Sequence, residues 1–241
     1  GLSGCLTALH YKFHAPGVEI ELYDDPSIPA QTVGQASFTE LPDLLWETFG
    51  FNWHDNPIKA TPKTGILYEG WGKGGEYFHP FPLGQLAMHY DTELVRKFIL
   101  GSGKFTVRNE AVKDYNLDAD FIFDCRGFPT DYSDYSELSN PINSVVLGNR
   151  FEVDPKQLWT RATATPDGWA FTIPLADYTS VGYLYNSDIT DRAEADQNFN
   201  DIFDPDDIYS EFSFRNYVVN EPIIDKRIIL NGLRLFFLEP L

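Results

Sequence analysis

Lys63 stands in an apolar and aromatic setting, Ala60-Thr-Pro-Lys63-Thr-Gly-Ile-Leu-Tyr-Glu-Gly-Trp71. A lysine on a strand flank commonly runs its alkyl stem along the surface and keeps its ammonium in water. Out of water it is a different reagent. Burial lowers its pKa, so that an ammonium donor and a free amine both come within reach of neutral pH. The ammonium donates a hydrogen bond to an electrophile's oxygen, and the amine attacks the electrophile directly. Further on, Glu76-Tyr-Phe78-His79-Pro-Phe81 supplies flat rings suited to stacking on an electron-rich arene, although the same rings would serve a packed core. A third string, Gly168-Trp169-Ala-Phe171-Thr-Ile-Pro174, sets aromatics two residues apart, so one face of a strand would carry both.

A second group of residues fits a phosphate-bearing ligand. The chain opens Gly1-Leu-Ser-Gly4-Cys-Leu-Thr-Ala-Leu-His10, helical in spacing. Val18-Glu-Ile-Glu-Leu-Tyr23 then alternates like a strand and ends in Asp24-Asp25. Gly-x-x-Gly, helix, strand and acid after about 20 residues are the later part of a dinucleotide-binding turn. Glycines let the backbone approach a pyrophosphate, the helix N-terminus stabilises its charge, and the acid accepts from a ribose. Downstream, Asp120-Phe-Ile-Phe-Asp-Cys125-Arg-Gly127 reads as a buried strand ending at a glycine. Arg227-Ile-Ile-Leu-Asn-Gly232 reads as another strand with a Gly turn and a helix start.

These strings, in this order, resemble the flavin-dependent halogenases, the tryptophan-halogenase group in particular. Pro29-Ala-Gln-Thr-Val-Gly34-Gln35-Ala36-Ser37 is similar to the segment that forms a strap along the flavin, with Gln35 where that family has Glu. The Lys63 stretch resembles the family's catalytic-lysine segment. Glu76 to Phe81 is similar to the segment whose His and second Phe hold the substrate ring, here His79 and Phe81. Gly168 to Pro174 resembles Trp-x-Trp-x-Ile-Pro, with Phe171 at the second Trp.

The resemblance implies a protein that uses reduced FAD, O2 and a halide to make hypohalous acid, and passes the halogen to an aromatic substrate through Lys63. It implies FAD contacts at Gly1, Gly4, Asp24, Gly34, Gln35, Ala36, Ser37, Gly127 and Gly232. It implies a substrate pocket of His79, Phe81, Trp169, Phe171 and Pro174, with the aromatic residues keeping substrate off the flavin. A separate flavin reductase would supply FADH2. A flavin-dependent hydroxylase and a degenerate flavin-binding non-enzyme are the alternatives. By the same resemblance the sequence reads as part of a longer protein. A first strand and a leading glycine would precede Gly1, and a further catalytic carboxylate would follow Leu241.

Bulk properties agree with a globular protein. The chain has 241 residues, 43% hydrophobic and 15% aromatic, enough for one large core or two modest domains. A net charge of -18 makes nucleic acid and anionic membrane poor partners. No stretch has transmembrane length, and Cys5 and Cys125 are too few for a disulfide framework, which points to the cytoplasm. The acidic run from Asp188 to Glu211 reads as a solvated face or loop. No metal-ligand spacing links the five histidines to the cysteines. Homo-oligomerisation is compatible with the sequence.

The expected fold is α/β (α+β), like that of the two-lobed flavin monooxygenases. Residues 1–127 would form a Rossmann-type FAD lobe. Residues 128–220 would form an antiparallel sheet over the flavin, and 221–241 would return to the first lobe. His89 to Leu100 has helical spacing, and Lys104 to Val107 follows as a strand.

Overall fold

The computed structural model describes residues 1–29, 31 and 33–239. The strap string therefore lacks Ala30 and Thr32, and the final string lacks Pro240 and Leu241. In chain order the elements are α1 (Leu2–His14), β1 (Glu21–Tyr23), α2 (Glu40–Phe49), β2 (Thr61–Lys63), β3 (Gly65–Glu69), β4 (Glu76–Pro80), β5 (Ala87–His89), α3 (Thr92–Gly101), β6 (Thr106–Arg108), β7 (Ile122–Asp124), β8 (Tyr135–Glu137) and β9 (Ser144–Arg150). Then come β10 (Thr160–Thr165), β11 (Gly168–Pro174), β12 (Thr179–Tyr185), α4 (Arg192–Phe203), β13 (Asp207–Ser213), β14 (Tyr217–Val219), β15 (Ile223–Ile224), β16 (Ile228–Leu230), a 3-10 turn at Gly232–Arg234 and β17 (Phe236–Phe237). The fold is mixed α/β, as expected from the sequence.

The first lobe is built from short parallel pairs. β1 runs beside β6, and β16 beside β7. Helix α1 packs against β1 and β7, with α2 and α3 on its other side. Its core joins Cys5 and Leu9 of α1 to Leu41 and Leu45 of α2, Val95 and Ile99 of α3, and Met88 of β5. Spacings of four along each helix put these residues on one stripe. Helix α3 starts at Thr92, later than the helical spacing from His89 suggests. Asp91 accepts from the Leu94 N–H at 2.9 Å and caps the helix there, leaving His89 free to end a strand.

The large sheet has seven strands in the order β13-β9-β12-β11-β10-β3-β4. All neighbours are antiparallel except β10 and β3, which run parallel with Thr160 opposite Ile66. Residues 65–80 thus join a sheet that the sequence division confines to 128–220. Their own hairpin pairing and the free edge of β10 bring them in. One face carries Ala162, Trp169, Phe171, Ile173, Leu184, Val145 and Leu147, with Ile66, Tyr68, Val33 and Ala36 packed on it. The opposite face carries Val146, Ala170, Val181, Tyr183 and Tyr185 beneath Ala195, Phe199 and Phe203 of α4. This helix lies inside the acidic run read from sequence as a loop or solvated face. Asp191 caps it by accepting from the Glu194 N–H, and three apolar residues at a spacing of four bury one stripe. β8, β14 and β17 form a small sheet at the Trp169 end.

Candidate active site

Lys63 ends β2, which pairs antiparallel with β5: Thr61 lies opposite His89, and Lys63 opposite Ala87. Residues in register share a face, so Lys63 and His89 project from the same side of this ribbon. The strap adds along β5. Ser37 N–H donates to Met88 O, Tyr90 N–H donates to Gln35 O, and Ala36 bridges His89. Strap and lysine are therefore tied through one narrow strand. Thr61 Oγ1 also donates to Pro174 O at 3.0 Å, which anchors β2 to the end of β11.

Lys63 is 7% exposed. Its Nζ lies 3.4 Å from Ser37 O and 5.4 Å from the Phe81 ring centroid. No carboxylate among the described residues pairs with it within salt-bridge distance. Burial alone pulls its pKa down to about 8. The neighbouring His89 is fully buried, with Nε2 sharing a 2.9 Å hydrogen bond with Thr160 Oγ1 of the large sheet. Burial, and then the Lys63 charge, press its pKa down to about 3, so it stays neutral. Among the described residues around Lys63 Nζ, the lysine is thus the potential cation, beside a neutral imidazole.

Phe81 presents its ring to Lys63. His79 is exposed on the edge strand β4, opposite Ile66, and its ring neighbour is Tyr77 at 6.3 Å. His79 and Phe81 do not touch one another in the ring contacts of the described residues. Trp169 and Phe171 are buried and 5.9 Å apart on the inner face of the sheet. Pro174 ends the same strand. Phe171 owes its position to Gly182 on the facing strand, where a Cβ would come within 2.3 Å of the ring. No bulkier residue fits there.

The candidate cofactor residues gather at the start of α1. Gly1 is its N-cap residue, with no side-chain cap and no acid in the first turn, so its free N–H groups and dipole suit a phosphate. Gly4 lies over Cys125, at 3.6 Å from where its Cβ would stand. A Cβ on Gly232 would collide with Ser3 Oγ at 2.3 Å, so the 3-10 turn closes directly on the helix start. Asn231 Nδ2 also donates to Thr7 Oγ1 at 2.7 Å. Asp24 follows β1 and is buried, with its backbone N–H donating to Arg108 O at 2.9 Å. Gly34 and Gly127 have left-handed backbone, at φ 85° and 90°. Gln35, Ala36 and Ser37 lie on the strap rather than at this turn. A helix start without a side-chain cap, beside a buried acid, is the chemistry that a dinucleotide's phosphates and ribose call for.

Several residues of the site escape the sequence reading. Arg96 of α3 clamps Asp24 with two guanidinium nitrogens, Nε at 3.2 Å; an arginine on the apolar stripe of a helix is the signal. His89, Thr160 and Tyr178 carry none, because only the register between distant strands unites them. Tyr178 Oη accepts from Gln35 Nε2 and donates to Asp91, each at 3.4 Å. Glu239 is buried and accepts from Trp169 Nε1 at 3.0 Å.

With this geometry in hand, comparison with known proteins is specific. A tryptophan 6-halogenase from Streptomyces toxytricini superposes with TM-score 0.82 at 19% identity, over 100% of this chain and 67% of that one. A flavin-dependent halogenase from Xanthomonas campestris gives 0.78 at 20% identity, over 100% and 65%. One from Brevundimonas sp. BAL3 gives 0.77 at 17%, over 100% and 65%. The chain spans about two thirds of the length of these proteins. No curated protein matches it. No helix among the described residues is long and apolar enough to cross a membrane. The sequence model of the tryptophan halogenase family matches residues 1–100 and 103–241. The chain belongs to the tryptophan halogenase family, a group of flavin-dependent oxidoreductases.

Proposed function

We propose that the protein is an FADH2-dependent halogenase in which Lys63 directs hypohalous acid onto an aromatic carbon. The observation that carries this is a buried lysine, free of any carboxylate partner among the described residues, between the strap and the Phe81 ring. Reduced FAD with O2 and halide supplies the hypohalous acid. The first turn of α1, with Gly1, Gly4, Gly232 and Asp24, would hold the diphosphate and ribose, with Gly127 near by. Gly34 to Ser37 would run along the ring system.

The chain's own residues then do four things. The strap and the inner face of the sheet exclude water, which strengthens every polar contact inside. Phe81, with His79 at the open edge, offers the aromatic substrate a stacking surface. Trp169 and Phe171 fill the face between the two regions, with Pro174 at the strand's end. Lys63, as ammonium, donates to the oxygen of hypohalous acid and makes water the leaving group. The ring carbon takes the halogen and gives up a proton, so arene and hypohalous acid become haloarene and water. Near pH 8 the free amine is present too, and a haloamine formed with loss of water would serve the same transfer.

The substrate class is an electron-rich arene, of which the indole ring handled by the Streptomyces relative is one example. A separate reductase supplies FADH2, and the free thiols of Cys5 and Cys125 fit a reducing cytoplasm.

The test incubates the full-length protein with FADH2, O2, halide and a panel of indoles and phenols, with product masses as readout. A halogen isotope pattern is expected. Lys63→Met should leave oxygen consumption intact and lower halogenation roughly a hundredfold or more. A product heavier by one oxygen would make the protein a hydroxylase. Halogenation by Lys63→Met within a few-fold of wild type would remove the lysine from the mechanism.

A further inference from the structure

Trp169 and Glu239 form a buried indole–carboxylate pair that the arrangement above does not use. The indole N–H donates to Glu239 Oε1 at 3.0 Å, and Glu239 is 3% exposed. The carboxylate is seated with care. The Glu239 backbone N–H donates to Asn216 Oδ1 at 2.7 Å, and Asn140 Nδ2 donates to the Glu239 backbone carbonyl at 3.1 Å. Asn216 is itself buried and donates to Ile142 O at 2.9 Å, in the core of the inner sheet face. Three bonds from three places in the chain thus fix where this acid stands.

Satisfying an indole N–H does not require such a device. Trp71 donates its N–H to an ordinary backbone carbonyl, Ala162 O, at 2.9 Å in the same sheet. Trp159 has a buried Nε1 with no partner among the described residues. A carboxylate taken out of water is costly, and its retention calls for a role beyond stability. A charge-assisted bond holds a ring in direction more firmly than a neutral one. The ring it holds packs against Phe171 on the sheet face that the strap residues Val33 and Ala36 cover.

We infer that Glu239 is a positioning residue: from the segment after β17 it locks the Trp169 indole, and so sets the aromatic wall that keeps organic substrate away from the flavin. This rests on the halogenase reading for its functional half, and on geometry alone for the bond. The expected sign is a loss of coupling, meaning halogenated product per O2 consumed, rather than a loss of flavin affinity.

The experiment uses full-length protein labelled with 15N at the tryptophan indoles, and Trp169→Phe identifies the Trp169 resonance by its loss. Glu239→Gln keeps an acceptor oxygen but removes the charge; the Trp169 indole proton should move upfield, and coupling should stay within about twofold. Glu239→Leu should shift the resonance further and cut coupling about threefold or more, because small misplacements of positioning groups are expensive. Flavin affinity should be unchanged in both. A Trp169 resonance indifferent to both substitutions overturns the bond. A shifted resonance in Glu239→Leu with wild-type coupling overturns the positioning role. A wild type that makes no halogenated product overturns the proposed function instead, while the resonance still decides the pair.

Discussion

At the scale of single residues, burial of Lys63 has a thermodynamic signature separable from its chemistry. Its pKa falls from 10.5 to about 8 on folding. The unfolded chain therefore binds the proton more tightly than the folded one between those values. Stability is greatest above about pH 10.5, declines as pH falls to about 8, and is level below that. Lys63→Met removes this penalty, which is on the order of 3 kcal/mol at neutral pH. Urea unfolding should show the variant more stable than wild type at pH 7, with the difference closing towards pH 10.5. A variant less stable at pH 7 would mean that the ammonium is well solvated in the native protein. His89 acts in the same direction on the acid limb. Its pKa is depressed to about 3, so the stability it contributes is complete above the ordinary imidazole value and lost as pH falls below it. His89→Gln should flatten the acid side of the profile between about pH 6.5 and 3.

At the scale of elements, the fit between Phe171 and Gly182 predicts a coupled pair of substitutions. Gly182→Ala brings a methyl to 2.3 Å from the Phe171 ring, an overpacking that should cost about 1–3 kcal/mol. Adding Phe171→Ala makes room for the methyl, so the double variant should be more stable than the sum of the two losses. Denaturant midpoints of the four proteins measure this, and strict additivity would place the ring elsewhere. The strand carrying Trp169 and Phe171 was legible from sequence because alternation marks a face. So was the helix that follows Gly1, because its apolar residues recur at helical spacing. The α4 helix was hidden because its nine carboxylates' worth of surrounding acid outweighs three apolar residues at a spacing of four. Arg96, His89, Thr160 and Glu239 were hidden for another reason. Each acquires its partner through pairing between segments 70 or more residues apart; only Arg96, on the apolar stripe of its helix, leaves a local trace.

At the scale of the whole molecule, the surface charge of -18 sets the terms of encounter. Neutral arenes enter without penalty, whereas anionic ones meet a repulsive field that salt relieves. The apparent KM for an indole carboxylate should therefore fall as ionic strength rises from about 10 to 150 mM, and that for neutral indole should stay level. The parallel seam of the large sheet has a different consequence. β3 and β4 belong early in the chain, yet their partner β10 begins 91 residues after β3 ends, counting from Glu69 to Thr160. Residues 109–121 between the two halves carry no strand or helix and include exposed Lys113. A trypsin nick at Lys113 would leave the sheet intact, with each piece supplying strands the other lacks. The chain is thus a natural candidate for splitting into two separately expressed fragments that reassemble on mixing, and co-elution of the nicked pieces as one particle would be the sign of it.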